Sequence, residues 1–75
     1  MNSYSVKQVS SFSKLSIRAI HYYDKIGLLK PASRTEAGYR LYGETELFRL
    51  QQILFYRELD FPLTEIKALL DDSEF

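Results

Sequence analysis

The chain has no cysteine, one histidine, three glycines and two prolines among its 75 residues. Without cysteine it has no disulfide framework and no thiolate metal site, which is compatible with a reducing cytoplasm. The chain has one histidine and no glycine-rich loop that could hold a phosphate, so few of its residues suit catalysis. An enzyme is therefore the least favoured class of protein. The sequence predicts no metal site and no cofactor.

Long apolar runs are also missing. No stretch approaches the roughly 20 apolar residues of a membrane span, and the N-terminus lacks the apolar core of a signal peptide. We therefore expect a soluble, cytoplasmic protein with no membrane partner. At 75 residues it should form one domain, over residues 1–75, of a size at which a single core is only marginally stable.

The formal net charge is zero, but the charges are unevenly placed. Residues 1–42 carry seven Lys and Arg against two Asp and Glu, a balance of +5, whereas residues 43–75 carry three against eight, a balance of −5. Such a molecule can present its basic half to a polyanion while its acidic half faces away. The charge pattern favours a nucleic-acid partner for the N-terminal half.

The segment SIRAIHYYDKIGLL, residues 16–29, predicts a helix of about ten residues. Ser16 can cap its first turn, and Gly27 can end it in a left-handed conformation. A three-residue spacing places Ile17, Ile20 and Tyr23 on a buried face, and the outward face then carries Arg18, His21, Tyr22 and Lys25. Cationic and aromatic side chains in a row suit phosphates and base edges, although a solvated helix face is the plainer alternative.

A second short helix is predicted before this one. Ser5 and Gln8 match a capping box, so a helix over residues 6–12 should bury Val6, Val9 and Phe12, following a loose lead-in over residues 1–4. Residues 13–15 then form a tight corner. Two short helices joined by about three residues, here within residues 5–26, are typical of a helix-turn-helix, although an ordinary helical hairpin is the alternative.

Residues 30–42 predict a small β-hairpin, or wing. Pro31 stops the preceding helix, and the alternating Tyr-Arg-Leu-Tyr of residues 39–42 has high strand propensity, so it should pair with extended residues 30–32. Arg34 would lie at the tip and Arg40 on the return strand. Arginines and tyrosines on a protruding loop can grip phosphates, unless the tyrosines only cover the core.

Two further helices are predicted after the wing. The first, over residues 44–60, has an apolar stripe of Leu47, Leu50, Ile53 and Leu54, extended by Arg57 or Leu59. The second, over residues 62–71, begins near Pro62 and has an apolar face of Leu63, Ile66, Leu69 and Leu70, before a frayed acidic end. The fold class is therefore mainly α: a winged helix-turn-helix with a small β-hairpin wing and two further helices.

Three aromatic residues of the first of these helices, Phe48, Phe55 and Tyr56, lie off its apolar stripe. We expect them to pack beneath the wing and the last helix. Alternatively they face a partner protein, because a large exposed apolar patch commonly marks an interface.

Four strings in the chain agree in order and spacing with one known family: YYDKIGLLKP, RTEAGYRLY, LxRLQQILFYREL and FPLTEIKALL. Together they resemble the DNA-binding domain of the MerR family of bacterial transcription regulators, from about residue 5 to residue 70. The resemblance implies a recognition helix over residues 16–26 in the major groove and a wing on the flanking backbone. It implies DNA contacts by Ser16, Arg18, Tyr22, Tyr23, Arg34, Tyr39, Arg40 and Lys67.

The chain departs from the family pattern at two positions. Lys14 stands in the corner where family members often have glycine, and a left-handed lysine costs on the order of 1 kcal/mol, so we expect a differently shaped corner. His21 stands where arginine is common. It predicts a pH-dependent DNA contact, or else it is a neutral histidine hydrogen-bonded at the helix surface.

The resemblance also implies partners. Family members join this domain to a dimerising coiled-coil helix and an effector-sensing domain, neither of which is in this sequence. We expect double-stranded DNA as the partner, with RNA polymerase and a homodimer in the full-length context. Two alternatives stay open: a short excisionase-like protein that bends DNA, and a protein-interaction module that uses the aromatic surface of Phe48, Phe55 and Tyr56.

Overall fold

The computed structural model describes residues 2–72, which form four helices and a three-stranded antiparallel sheet. The expected fraying of the acidic end falls partly on residues 73–75, which lie outside the described residues. In chain order the elements are β1 (Tyr4–Ser5), α1 (Val6–Ser13), α2 (Ile17–Lys25), β2 (Ser33–Arg34), β3 (Arg40–Tyr42), α3 (Glu44–Glu58) and α4 (Leu63–Asp71). The predicted fold class is confirmed.

Serine caps define the starts of α1 and α2. The Ser5 hydroxyl accepts a hydrogen bond from the Gln8 N–H at 3.2 Å, and the Gln8 side chain accepts one from the Ser5 N–H at 2.9 Å. The Ser16 hydroxyl accepts one from the Ala19 N–H at 3.0 Å. Both predicted caps are therefore confirmed, because each satisfies backbone donors that have no partner inside the helix.

The corner between α1 and α2 corrects one expectation. Lys14 itself adopts the left-handed conformation, with φ 64° and ψ 14°, so the corner has the shape that glycine would give it. Its N–H donates to the Ser10 carbonyl at 2.8 Å. The Ser13 hydroxyl donates to the Val9 carbonyl and accepts from the Leu15 N–H. These bonds satisfy the corner backbone and offset the strain at Lys14.

The sheet corrects two further expectations. Its order is β1-β3-β2, with Tyr4 opposite Tyr42 in one pair and Arg34 opposite Arg40 in the other. Tyr4 is therefore a strand residue, because the open edge of β3 offers it a backbone partner. The strand that pairs with β3 is Ser33–Arg34, directly after the predicted residues 30–32, of which Ala32 still donates its N–H to the Leu41 carbonyl at 2.8 Å; the turn at residues 35–38 sets this register. Arg34 lies on a strand and not at the tip.

The core lies where α1, α2, α3, α4 and the sheet meet. Leu28 and Leu29 are buried just after α2 and anchor the end of this helix in the core. The other buried apolar side chains are Val9, Ile20, Tyr23, Tyr42, Leu50, Ile53 and Ile66. Leu47 and Leu54 are partly buried against them, so the predicted stripe of α3 is confirmed.

Several predicted core residues are exposed instead. Ile17 is the first residue of α2, Phe12 lies near the end of α1, and Leu59 follows the end of α3. Leu69, near the end of α4, is also exposed. Helical periodicity gives the direction of a side chain, but it does not give the point along the helix at which the packing partner ends.

The aromatic residues of α3 separate into two groups. Phe48 and Phe55 are exposed, so the expectation that they pack beneath the wing and α4 is wrong. Tyr56 is partly buried against the core, and its ring centroid lies 5.2 Å from that of Phe61. α3 ends at Glu58, two residues earlier than predicted, because Asp60 adopts a left-handed conformation with φ 66°.

Replacing Lys14 by glycine should raise the free energy of unfolding by about 0.5 to 1 kcal/mol. Glycine adopts positive φ without the steric cost that lysine carries, and this gain exceeds its larger loss of chain entropy. Urea denaturation followed by circular dichroism measures the change.

Asp60→Gly is the matched control, because Asp60 has nearly the same φ and aspartate tolerates that region better than lysine. The control should gain less than Lys14→Gly. An equal or larger gain at Asp60 would show that strain at the corner is not what Lys14 contributes.

Candidate nucleic-acid interface

The outward side of α2 carries most of the predicted helix contacts. Arg18, Tyr22 and Lys25 are exposed and follow one another at helical spacings of four and three residues. His21 is half-buried beside them, and Ser16 is exposed at the N-terminal end. The structure therefore brings cationic, aromatic and hydroxyl groups onto one helix surface.

Ile17 adds an apolar residue that sequence analysis had assigned to the core. It is 40% exposed at the first position of α2, next to Ser16 and Arg18. An aliphatic group at the start of a helix in the major groove can contact the methyl group of thymine. The sequence did give one indication that Ile17 is exposed, because it directly follows the capping serine at the start of the helix.

The end of α2 directs the chain toward the wing. Gly27 has φ 79°, and the N–H groups of Leu28 and Leu29 both donate to the Tyr23 carbonyl, at 2.8 and 3.1 Å. Arg49 of α3 donates from Nε to the Leu28 carbonyl at 2.7 Å. These bonds fix the exit of the chain from the helix.

One carboxylate joins α2 to the wing. Asp24 is 9% exposed, and its Oδ2 accepts a hydrogen bond from Arg40 Nε at 2.7 Å. Lys30 Nζ lies 3.6 Å from Oδ1, and Arg34 Nη2 lies 3.6 Å from Oδ2. Three cations, from the loop and from both wing strands, are therefore arranged around a single anion of α2.

Sequence analysis did not assign this role to Asp24. The sequence did give one indication of it: acidic residues are scarce in this half of the chain, and Asp24 and Glu36 are the only two among residues 1–42. A carboxylate at the end of a basic helix is an obvious partner for nearby arginines. The sequence did not show that the wing would fold back onto that point of α2.

The pKa of Asp24 reflects two opposing effects. Burial disfavours the ionised carboxylate and acts to raise the pKa, but the hydrogen bond from Arg40 and the positive charges of Arg40 and Lys30 prevail. The pKa consequently lies below its ordinary value of 3.8. The ionised carboxylate of Asp24 is therefore more stable in the folded protein than in the unfolded chain.

The wing presents its predicted residues to different degrees. Tyr39 and Arg34 are exposed, and Arg34 Nη1 also donates to the Gly38 carbonyl at 3.1 Å. Arg40 faces Arg34 across the strand pair and keeps 26% of its side chain exposed. Both arginines therefore border the surface while they contact Asp24.

Tyr23 requires a correction. Its placement on the buried face of α2 is confirmed, since the residue is only 3% exposed. The DNA contact that the family resemblance implied for it is not supported, because the residue belongs to the buried core cluster. Tyr22, its neighbour in the sequence, is the tyrosine that α2 presents at the surface.

Lys67 lies in the middle of α4. Its Cε packs over Gly27, 3.1 Å from where a β-carbon on that glycine would stand. Its Nζ pairs with the Asp71 carboxylate at 2.8 Å, and Arg49 Nη2 pairs with the same carboxylate at 2.8 Å. α4 therefore places Lys67 beside the end of α2, but the lysine already has a partner.

Among residues 2–72, no helix is both long and apolar enough to cross a membrane. The same part of the chain contains no group of three or more His, Asp or Glu side chains that could hold a metal ion.

Asp24→Asn should lower the free energy of unfolding by about 1 to 2 kcal/mol at neutral pH, because it removes the charged acceptor but leaves three partly exposed cations. Since the folded-state pKa of Asp24 is depressed, its contribution is complete above pH 3.8 and is lost as the pH falls through that lower value. Urea denaturation of both proteins between about pH 7 and pH 2 measures the difference.

The matched control is Glu36→Gln, which removes an exposed carboxylate from the wing tip. Its effect should stay within about 0.5 kcal/mol at every pH. A difference between Asp24→Asn and the parent that persists at the acid end would contradict an electrostatic role for Asp24.

Known proteins are similar to this chain in sequence and in structure. The family model described as "MerR family regulatory protein" matches residues 5–42. The HTH-type transcriptional activator TipA of Streptomyces coelicolor is 60% identical over 70 residues, which are 93% of this chain and 28% of TipA. The chain thus spans less than a third of that relative.

Two solved structures superpose closely. The N-terminal part of the Bacillus subtilis multidrug transporter activator, MtaN, gives a TM-score of 0.91 at 56% identity, over 96% of this chain and 68% of MtaN. EcmrR, in the EcmrR-DNA complex of EcmrR-RPo, gives a TM-score of 0.84 at 36% identity, over 96% of this chain and 28% of EcmrR. Sequence, fold and the paired helix and wing agree, and the chain belongs to the MerR family of regulatory proteins.

Proposed function

We propose that this chain is the DNA-binding domain of a bacterial transcription regulator. α2 enters the major groove, and the wing contacts the flanking phosphate backbone. The observation that carries this proposal is the fixed arrangement of two basic surfaces: the exposed side of α2 and the wing cations, which Asp24 holds beside it. A helix and a wing held together can follow a groove and its adjacent backbone at the same time.

Each proposed contact has a physical basis. Ser16 and the free N–H groups at the start of α2 suit a phosphate oxygen. Arg18 can bind guanine or phosphate, and the Tyr22 hydroxyl can donate to phosphate. His21, half-buried beside Arg18 and Tyr22, adds a ring N–H donor.

The wing contributes contacts that are independent of sequence. Arg34, Tyr39 and Arg40 border its surface and can donate to phosphate oxygens. Lys67 adds a contact from α4 where a phosphate competes with Asp71 for its ammonium group. These residues should set affinity and position, whereas base preference should come from α2 and from DNA shape.

We extend this proposal to the activity of the full-length protein. TipA is an HTH-type transcriptional activator, and EcmrR has been solved with DNA in EcmrR-RPo. We infer that the full-length protein acts in the bacterial cytoplasm, on a promoter occupied by RNA polymerase. A homodimer formed outside the described residues would double the contacts to DNA, so the single domain should bind weakly by comparison.

A protein contact is the second candidate function. The exposed Phe48 and Phe55, two helical turns apart on α3, favour it. Binding through this surface would be insensitive to salt, in contrast to DNA binding. No feature of the fold favours an excisionase-like protein over a regulator, and the similar proteins described above are regulators of transcription.

The DNA affinity of the chain should fall steeply with salt, and Arg18→Ala should weaken it and reduce the slope of log K against log salt by about 1. The reason is that each arginine bound to phosphate releases about one counterion. Fluorescence anisotropy with a labelled duplex, titrated at several low salt concentrations, measures both quantities.

Arg57→Ala is the matched control, since it removes an exposed arginine from α3, outside α2 and the wing. It should leave the slope nearly unchanged. The proposal would be contradicted by binding that ignores salt, or by equal losses in the Arg18 and Arg57 variants.

A further inference from the structure

We propose that Asp24 is a positioning residue for DNA binding, which orients the Arg40 guanidinium toward a phosphate. This inference rests on the proposed function, and it concerns a residue that itself carries the wrong charge for DNA. If charge alone mattered, removing this carboxylate would tighten binding. The geometry points to the opposite result.

Asp24 holds the Arg40 guanidinium through Nε. Asp24 Oδ2 accepts from Nε, which is one of the five N–H donors of the guanidinium. Within residues 2–72 the two terminal nitrogens of Arg40 make no hydrogen bond, and 26% of the side chain is exposed. A guanidinium held through Nε keeps its outer N–H groups available for a second anion.

The arrangement of the wing cations does not favour the alternative, in which Asp24 masks their charge. Three cations surround this one carboxylate, so the cluster keeps an excess positive charge. Lys30 and Arg34 lie 3.6 Å from it, beyond good hydrogen-bond distance, and their side chains are 69% and 49% exposed. Asp24 itself is buried, so it faces the protein more than it faces an approaching phosphate.

The register of the wing strands places two like charges side by side. Arg34 and Arg40 stand directly opposite each other on β2 and β3. Like charges at such positions repel each other, and long side chains respond by moving apart into solvent. Asp24 lies within reach of both guanidinium groups and removes this tendency, so part of the entropy cost of ordering Arg40 is met before DNA arrives.

The test is a double-mutant cycle between positions 24 and 40. The proteins are the parent, Asp24→Asn, Arg40→Ala and the double variant, titrated against a fluorescent mixed-sequence duplex of about two helical turns. We expect Asp24→Asn to weaken binding about two- to tenfold in the parent and to reduce the salt slope by up to about 1. In the Arg40→Ala background the same change should not weaken binding, because the guanidinium that Asp24 holds through a hydrogen bond is absent.

Two further variants separate orientation from charge and from folding. Glu36→Gln also removes one negative charge from the wing, and it should leave binding unchanged or slightly tighter. Arg40→Lys keeps the charges of both residues and supplies a partner for Asp24, but an ammonium cannot hold two anions in the fixed geometry of a guanidinium. It should weaken binding about two- to tenfold, and circular dichroism confirms folding before each titration.

The outcomes are distinct. Tighter binding by Asp24→Asn in both backgrounds, by a factor similar to that of Glu36→Gln, would establish masking and overturn the inference. An equal loss in both backgrounds would show a general structural role that does not act through Arg40, and an Arg40→Lys variant as tight as the parent would also overturn it. A parent chain with no salt-dependent binding would instead overturn the proposed function, and this inference with it.

Discussion

The ion cluster around Asp24 is the interaction on which the arrangement of the interface depends. A two-stranded hairpin has little stability by itself, and the wing here gains a third strand from β1 and a charged attachment to α2. The pKa of the Asp24 carboxyl stays below its ordinary value despite burial, because the hydrogen bond from Arg40 and the positive charges of Arg40 and Lys30 compensate for lost hydration. Helix and wing therefore form one surface of defined geometry, and a DNA duplex would meet both together.

The parts of this structure that sequence predicts well are those governed by local rules. Capping residues such as Ser5 and Ser16 act within one helical turn, and periodicity identifies buried positions such as Ile20 and Ile53. The parts that it predicts poorly depend on distant partners. The pairing of Tyr4 with Tyr42 and the packing limits that expose Phe48 both require the tertiary arrangement.

The candidate site shows the same division. Outward residues of α2, such as Arg18 and Tyr22, follow from helical spacing, whereas Tyr23 shows that a motif carried over from a family must be checked against burial. Asp24 was missed because its function depends on side chains 6 to 16 positions later in the chain. Lys14 shows a different limit, since hydrogen bonds around the corner can offset an unfavourable local conformation.

The pairing of β1 with β3 has a consequence for how this small protein folds. It joins residue 4 to residue 42, so the sheet cannot be completed until the chain has closed a loop that contains both helices of the helix-turn-helix. Contacts of such long sequence separation form late and slow the folding of small domains. The wing, moreover, cannot open at its β1 edge without releasing the strand Tyr4–Ser5.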